Sequence, residues 1–485
     1  VPLIDYRANK TGNIGFTISN YGHLGYYNEN EKASIVYPKG SKSSYIFGSG
    51  FYLTGKRKNE AFLIKNYDLQ TARSQFVPGR IEDGKLLDSN KFNNYQIFFS
   101  SDYDKNTGTP KFGGDEPNWP VWKSNYSPLS KFLGDYEINN SKRNKSNFIE
   151  PAITSDDDIF LTYKNTDLKS YDNKILDYKS LNLPIEIQVE ELINTWNAKE
   201  LKDCAILNYK FINMSLDTLI DCYFVPSFDI HITNTDFPFF GNDNDNAIAL
   251  TFNGGNYNFP IGVFWSDSSR YEIGHSQNYL SIGIINSPKV NSNGFVLNSN
   301  SQVTLNETSN NKLPIFINAD ADYLNNPSKF YNAIENLTGP KEKKQSNIKT
   351  LFPSNKFSLL PNDTVRFSVL VSFSKPNNKT LPTGDNSELI QLNSNIKYTT
   401  DYFYSQFNYL GIDDLKENKE FKQIENEIYI KLNSSILLVS DVSGREYKLT
   451  TSREESDFKI FDINNLPNGI YLVKLEKQSL KFIKN

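Results

Sequence analysis

Pro361-Asn-Asp-Thr-Val365-Arg-Phe367-Ser-Val369-Leu-Val371-Ser-Phe373 sets five apolar residues at strict period two behind a turn-forming Pro-Asn-Asp. Successive side chains of a strand point to opposite faces, so this spacing predicts a half-buried strand entered through a tight turn. The same alternation recurs upstream. Ala205, Leu207, Tyr209 and Phe211 share one face, Asn213-Met-Ser-Leu-Asp217 supplies a turn, and Leu219 to Val225 returns as an apolar run. That pattern predicts a β-hairpin flanked by Cys204 and Cys222, the two cysteines of the chain. A cross-hairpin disulfide and two buried thiols both fit, because bridging needs Cα atoms closer than about 7 Å and the register is open.

Composition agrees with an all-β class. Aromatic residues make up 14% of 485, with 34 Phe and 29 Tyr, and such residues favour pleated surfaces. A chain this long has room for at least two cores, since one core stops growing at about 250–300 residues. The net charge of -4 offers no electrostatic footprint for nucleic acid. No apolar run reaches the roughly 18 residues of a membrane-spanning helix, and Val1 reads as a mature terminus left by signal cleavage.

Three regions precede the C-terminus. Residues 1–150 hold short aromatic strands, Ile14 to Ile18, Ser44 to Leu53, Ala61 to Ile64 and Tyr95 to Phe99, and end in the polar stretch Asn139 to Asn147. They read as an N-terminal β-rich domain, and residues 151–380 as a second β-sandwich-like domain. Residues 381–423 read as a helical connector. There Asp385 and Glu388 have capping-box spacing, and Leu389, Leu392, Ile396, Phe403 and Phe407 fall on one side.

The C-terminal residues 424–485 contain Ile436-Leu-Leu-Val-Ser-Asp441-Val-Ser-Gly444-Arg445, then Ile463-Asn-Asn-Leu466-Pro467-Asn468-Gly469-Ile-Tyr471-Leu-Val-Lys-Leu475, and close on Lys481-Phe-Ile-Lys-Asn485. The order of strand, glycine turn, Leu-Pro-Asn-Gly-entered strand and basic end resembles the type A C-terminal sorting domain of type IX secretion. The resemblance implies a small Ig-like β-sandwich, a partnership with the type IX machinery, and an extracellular or outer cell-surface location. It also implies that Asp441, Gly444, Arg445, Leu466, Pro467, Asn468, Gly469, Tyr471 and Lys481 form the sorting signal. The tail lacks the Tyr-Pro-Asn-Pro opening common in that family. In the body, Asn20-Tyr-Gly22, Tyr37-Pro-Lys-Gly-Ser41 with Gly48-Ser-Gly50, Trp119-Pro120, Asp156 to Asn165, the Tyr209 to Asp217 hairpin turn and Phe357-Ser-Leu-Leu-Pro-Asn-Asp-Thr364 resemble, in this order, an uncharacterised group of secreted proteins with the same tail.

Two clusters are candidates for ligand chemistry. Asp229, Asp236, Asp243 and Asp245 crowd a Gly- and Asn-containing loop. Hard oxygen ligands on a loop suit calcium, and a solvated acidic turn is the plain alternative. Asp115-Glu116-Pro-Asn-Trp119-Pro-Val-Trp122 combines carboxylates with aromatic platforms, which suits glycan contact; Trp119 and Trp122 packing under the loop or against another subunit is the alternative. His23, His231 and His275 stand beside no nucleophile or zinc motif, and no phosphate loop or dinucleotide fingerprint occurs. The expectation is a non-enzymatic surface protein that assembles as a homo-oligomer or polymer (filament, sheath or surface layer). The runner-up is a glycan-binding adhesin or secreted polysaccharide-acting protein.

Overall fold

The computed structural model describes residues 5–25, 35–70, 74–82, 85–86, 96–112, 118–122, 136–137, 151–166, 183–199, 201–234, 247–254, 259–266, 278–297, 311–317, 322–336, 342–345, 348–376, 386–406, 421–424, 427–431, 436–441, 446–455, 458–467, 469–475 and 479–484. The chain divides into two compact units, Val1–Phe403 and Tyr404–Asn485. In chain order the principal strands of the first unit are β1 (Ser43–Arg57), β2 (Glu60–Lys65), β3 (Asp157–Asn165), β4 (Ile187–Thr195), β5 (Cys204–Asn213), β6 (Leu219–Asn234), β7 (Tyr279–Asn286) and β8 (Thr364–Ser374). Among the described residues its α-helices are α1 (Pro327–Asn336) and the greater part of α2 (Asn386–Gln406).

As the alternation and aromatic content predict, strands dominate and the sheets pair antiparallel. Among the described residues β7, β8, β5, β4 and β3 lie side by side within a ten-stranded sheet, while β6 and β1 pair within a seven-stranded one that also takes β2. The expected boundary near residue 150 falls inside this unit. β1 hydrogen-bonds to β6 across it, and Val77–Pro78 pairs with β3. An apolar sheet face needs an opposing layer, and here the early strands help build the layer that the later ones require.

The core lies between the two sheets. Phe51 on β1 meets Phe211 on β5 at 5.2 Å between ring centroids, Phe211 meets Phe224 on β6 at 5.1 Å, and Phe224 meets Phe367 on β8 at 4.7 Å. The four rings interlock at edge and tilted angles that suit their quadrupoles. Val365, Phe367, Val369, Val371 and Phe373 all point inward as their spacing predicts. Their strand is not half-buried, however: Ser368, Leu370 and Ser372 on its other face are buried too.

The expected hairpin at the cysteines is not one. β5 pairs with β4 and β8, whereas β6 pairs with β1, Ile348–Leu351 and Phe357–Leu359. The turn after Asn213 therefore carries the chain from one sheet to the other. Cys204 and Cys222 sit in different sheets, and both thiols are free and buried. A hairpin and a sheet switch share the same local pattern of apolar alternation, turn and apolar run, so periodicity alone does not separate them.

Close approach explains Gly48-Ser-Gly50. A Cβ at Gly48 would lie 2.5 Å from the Tyr67 hydroxyl, and one at Gly50 would lie 2.3 Å from Asn66 Oδ1, so β1 passes its neighbouring turn at a distance only glycine permits. Helix α2 forms as expected, with Leu392 and Ile396 buried. The Glu388 carboxylate accepts the Tyr279 hydroxyl of β7; Asp385 and Phe407 lie outside the described residues.

Glu191 of β4 faces the aromatic interior, accepting a hydrogen bond from the Tyr163 hydroxyl at 2.8 Å. Burial pushes its pKa from 4.5 up to about 8, with the tyrosine hydroxyls offsetting only part of the shift. The folded chain then holds a proton that the unfolded chain releases above pH 4.5, so this group's contribution falls as pH rises between about 4.5 and 8. The limiting slope is about 1.4 kcal/mol per pH unit. Urea unfolding at pH 5 and pH 7.5 should show wild type losing more stability than Glu191→Gln; equal losses would show that Glu191 stays ionised in the fold.

Candidate functional site

The second unit is built from β9 (Glu427–Lys431), β10 (Ile436–Asp441), β11 (Phe458–Asp462), β12 (Gly469–Leu475) and β13 (Ser479–Lys484), with shorter strands beside them. β9 pairs with β11 in one four-stranded sheet, and β12 lies between β10 and β13 in another. Ile428, Ile430, Val439, Phe461, Ile463, Leu466, Tyr471 and Val473 form its core. Leu466 and Tyr471 of the Leu-Pro-Asn-Gly-Ile-Tyr stretch thus have structural work to do. Leu466 closes a turn through its amide to the Ile463 carbonyl at 3.1 Å and buries its side chain. Tyr471 enters the same core, and its hydroxyl returns to the Pro467 carbonyl at 2.7 Å. Asp441 stands opposite Tyr471 in the ladder, and Lys481 opposite Leu472. Gly469 opens β12; Gly444, Arg445 and Asn468 lie outside the described residues.

In the body the polar groups gather on the outward face of the ten-stranded sheet. Strand pairing aligns Phe160, Leu192, Asn208 and Ser368 in one row, and Thr162, Glu190, Lys210 and Arg366 in the next. Hydrogen bonds then run across four strands. Ser368 Oγ donates to Asn208 Oδ1 at 2.7 Å, Asn208 Nδ2 to Asn194 Oδ1 at 2.6 Å, and Asn194 Nδ2 to Asp158 Oδ1 at 2.8 Å. Burial raises the pKa of Asp158, while bonds from Ser155, Thr154 and Asn194 pull it back. In the adjoining row the Lys210 ammonium lies 2.8 Å from Glu190 and over the Tyr136 ring at 4.7 Å. Sequence reasoning missed this ladder. Its one available signal was the polar set that alternates with the apolar face, Glu190 with Asn194 on β4 and Asn208 with Lys210 on β5.

Trp119 and Trp122 are buried over this face, and neither is an open platform for a sugar. Trp119 meets Tyr103 at 5.3 Å and Phe160 at 6.2 Å, and its Nε1 donates to the Ala152 carbonyl at 3.0 Å. Both indoles are thus interior side chains of the first unit. Asp115 and Glu116 lie outside the described residues.

Asp229 lies on a strand and not on the loop expected for it. It is buried on β6 with its Oδ2 2.7 Å from the Lys349 ammonium, which also donates to the Leu69 carbonyl at 2.7 Å. Removing one member of such a pair strands the other charge, so the carboxylate's Oδ2 serves the buried ion pair. Asp236, Asp243 and Asp245 lie outside the described residues. Among the described residues no group of His, Cys, Asp or Glu side chains is placed to hold a metal, and no helix is long and apolar enough to cross a membrane.

Residues 423–485 match the family described as the secretion system C-terminal sorting domain. The chain has no match among curated proteins. Among solved structures it is similar to a putative aldose 1-epimerase from Escherichia coli K12, at 7% identity over 77% of this chain and 100% of that one, with a TM-score of 0.24. It is also similar to a GalM/aldose epimerase homologue from C. elegans, at 9% identity over 77% of this chain and 99% of that one, with a TM-score of 0.23. A polysaccharide lyase aligns at 7% identity over 61% of this chain with a TM-score of 0.17, and the chain spans 34% of its length. Scores this low establish neither a shared fold nor a shared activity.

All four tryptophans, Trp119, Trp122, Trp196 and Trp265, lie in the first unit, so stability of the tail is best read by hydrogen exchange. Leu466→Ala should lower the opening free energy of β12 amides by about 2–5 kcal/mol. Tyr471→Phe should lower it by about 1 kcal/mol. The β5 amides should be unaffected by either change; unchanged β12 protection in both variants would refute the structural role of the motif.

Proposed function

We propose that the chain, a secreted protein whose residues 423–485 are a type IX sorting domain, is non-enzymatic and that its body associates with further copies of itself outside the cell. The observation that carries this reading is an apolar group at one end of the body. Leu216 is 94% exposed, Leu360 47% and Ile220 38%. Asn213 links their turns, its Nδ2 donating to the Asp217 carbonyl at 2.9 Å and the Leu360 carbonyl at 3.1 Å. Around them stand ion pairs, Lys58 with Asp217 at 3.0 Å and Lys56 with Asp221 at 3.2 Å. An apolar centre with a charged rim is the anatomy of a protein–protein contact.

Sedimentation velocity at two concentrations, with negative-stain microscopy, tests the association. Wild type should gain mass with concentration, and the double variant Leu216→Ser, Leu360→Ser should remain a monomer; a wild-type monomer at both concentrations overturns the reading. The export step has its own test. A chain lacking 424–485 should accumulate in the periplasm of a type IX-competent host, and normal extracellular levels would contradict that role for the tail. The competing glycan-binding reading loses Trp119 and Trp122 as its contact, since both are buried.

A further inference from the structure

A cleft of about 520 Å³ opens in the first unit, where β5 begins, β8 ends and α2 passes by. Its size falls within the range of roughly 300–1,000 Å³ typical of small-ligand sites. The wall from the body is tied together by a ring stack and two hydrogen bonds. Tyr37 stacks on Phe373 with centroids 4.4 Å apart and planes 5° apart. The Tyr37 hydroxyl donates to Asp203 Oδ1 at 2.8 Å, and that same oxygen accepts from Asn13 Nδ2 at 2.7 Å. The opposite wall is α2, which contributes Asn395, Tyr398 and Thr399. Leu392 and Ile396 are buried, and the Tyr279–Glu388 hydrogen bond pins the helix start.

Among the described residues the charges of the cleft do not balance. Lys199 and Lys375 both line the cleft and are both exposed. Among the described residues neither ammonium has a hydrogen-bond or ion-pair partner, and the cleft's one carboxylate, Asp203, already serves Tyr37 and Asn13. The surplus is positive and calls for an anion. The remaining surface is amide, hydroxyl and aromatic: Asn395, Thr399 and Ser374 line the cleft, and Tyr398 is 57% exposed. Such a surface suits a hydroxylated ring more than a bare ion, because a pyranose offers hydroxyls to the polar groups and a C–H face to the tyrosine.

We propose that this cleft binds a saccharide carrying a carboxylate, with the acid group on the Lys199 and Lys375 ammoniums and a sugar face against Tyr398. The site is separate from the apolar group at Leu216, so it is testable whether or not the chain self-associates.

Isothermal titration calorimetry of the full chain with a uronate trisaccharide tests it, beside a neutral glucose trisaccharide, inorganic phosphate and a triglutamate peptide. The uronate should bind at least tenfold more tightly than the other three and weaken with salt. Lys199→Gln with Lys375→Gln should lower its affinity at least tenfold, and Tyr398→Ala several-fold. These side chains are exposed, so a far-ultraviolet circular dichroism spectrum like wild type should accompany each loss. No uronate binding, equal binding of the neutral sugar, phosphate or peptide, or wild-type affinity in the lysine double variant would each overturn the proposal.

Discussion

The body depends on the side chain of Asn213. At that residue the chain leaves one sheet and within a single turn begins the strand at the heart of the other. The amide satisfies both halves of the switch: Oδ1 accepts from the Ser215 hydroxyl at 2.7 Å, while Nδ2 reaches the Asp217 and Leu360 carbonyls. The Asn213 carbonyl accepts in turn from Asn362, which sits at φ 65° where the chain turns into β8. Two corners of the sandwich are thereby tied at one point. Since β5 and β8 are neighbours and β6 faces them across the core, this tie sets which aromatic rings can meet.

Much of the architecture was legible because burial follows period two. The inward sets on β5 and β8 were read correctly from the sequence, and so was the order of elements in the tail, where turn residues and apolar strands alternate within a short span. What was not legible depended on distant partners. Asp229 looks like a loop carboxylate until Lys349, 120 residues later, is placed beside it. Trp119 looks exposed among Pro and Asn until Tyr103 and Phe160 close over it. A boundary is expected near residue 150, yet β1 before it pairs with β6 after it, a partnership that no local composition announces. The ladder from Asp158 to Ser368 was hidden because each member, alone, looks like an ordinary solvent-facing residue.

The tail shows how an address can be written in packing residues. Leu466 and Tyr471 are recognition features of the sorting domain by resemblance, and both are interior side chains of the small sandwich. Their contribution to export is thus coupled to the stability of a unit with a short core, where loss of one side chain is a large fraction of what holds the fold together.

The separation of the two cysteines has a chemical consequence for a secreted chain. Outside the cell a thiol ordinarily meets oxidants, and the thiolate is its reactive form. Here burial, with Asp203 beside Cys204 and Asp221 beside Cys222, holds both sulfurs well above the ordinary thiol range. With one sulfur in each sheet and neither ionised, the folded protein is redox-silent: it can be exported into an oxidising medium without gaining a crosslink, and unfolding is what would expose sulfur chemistry.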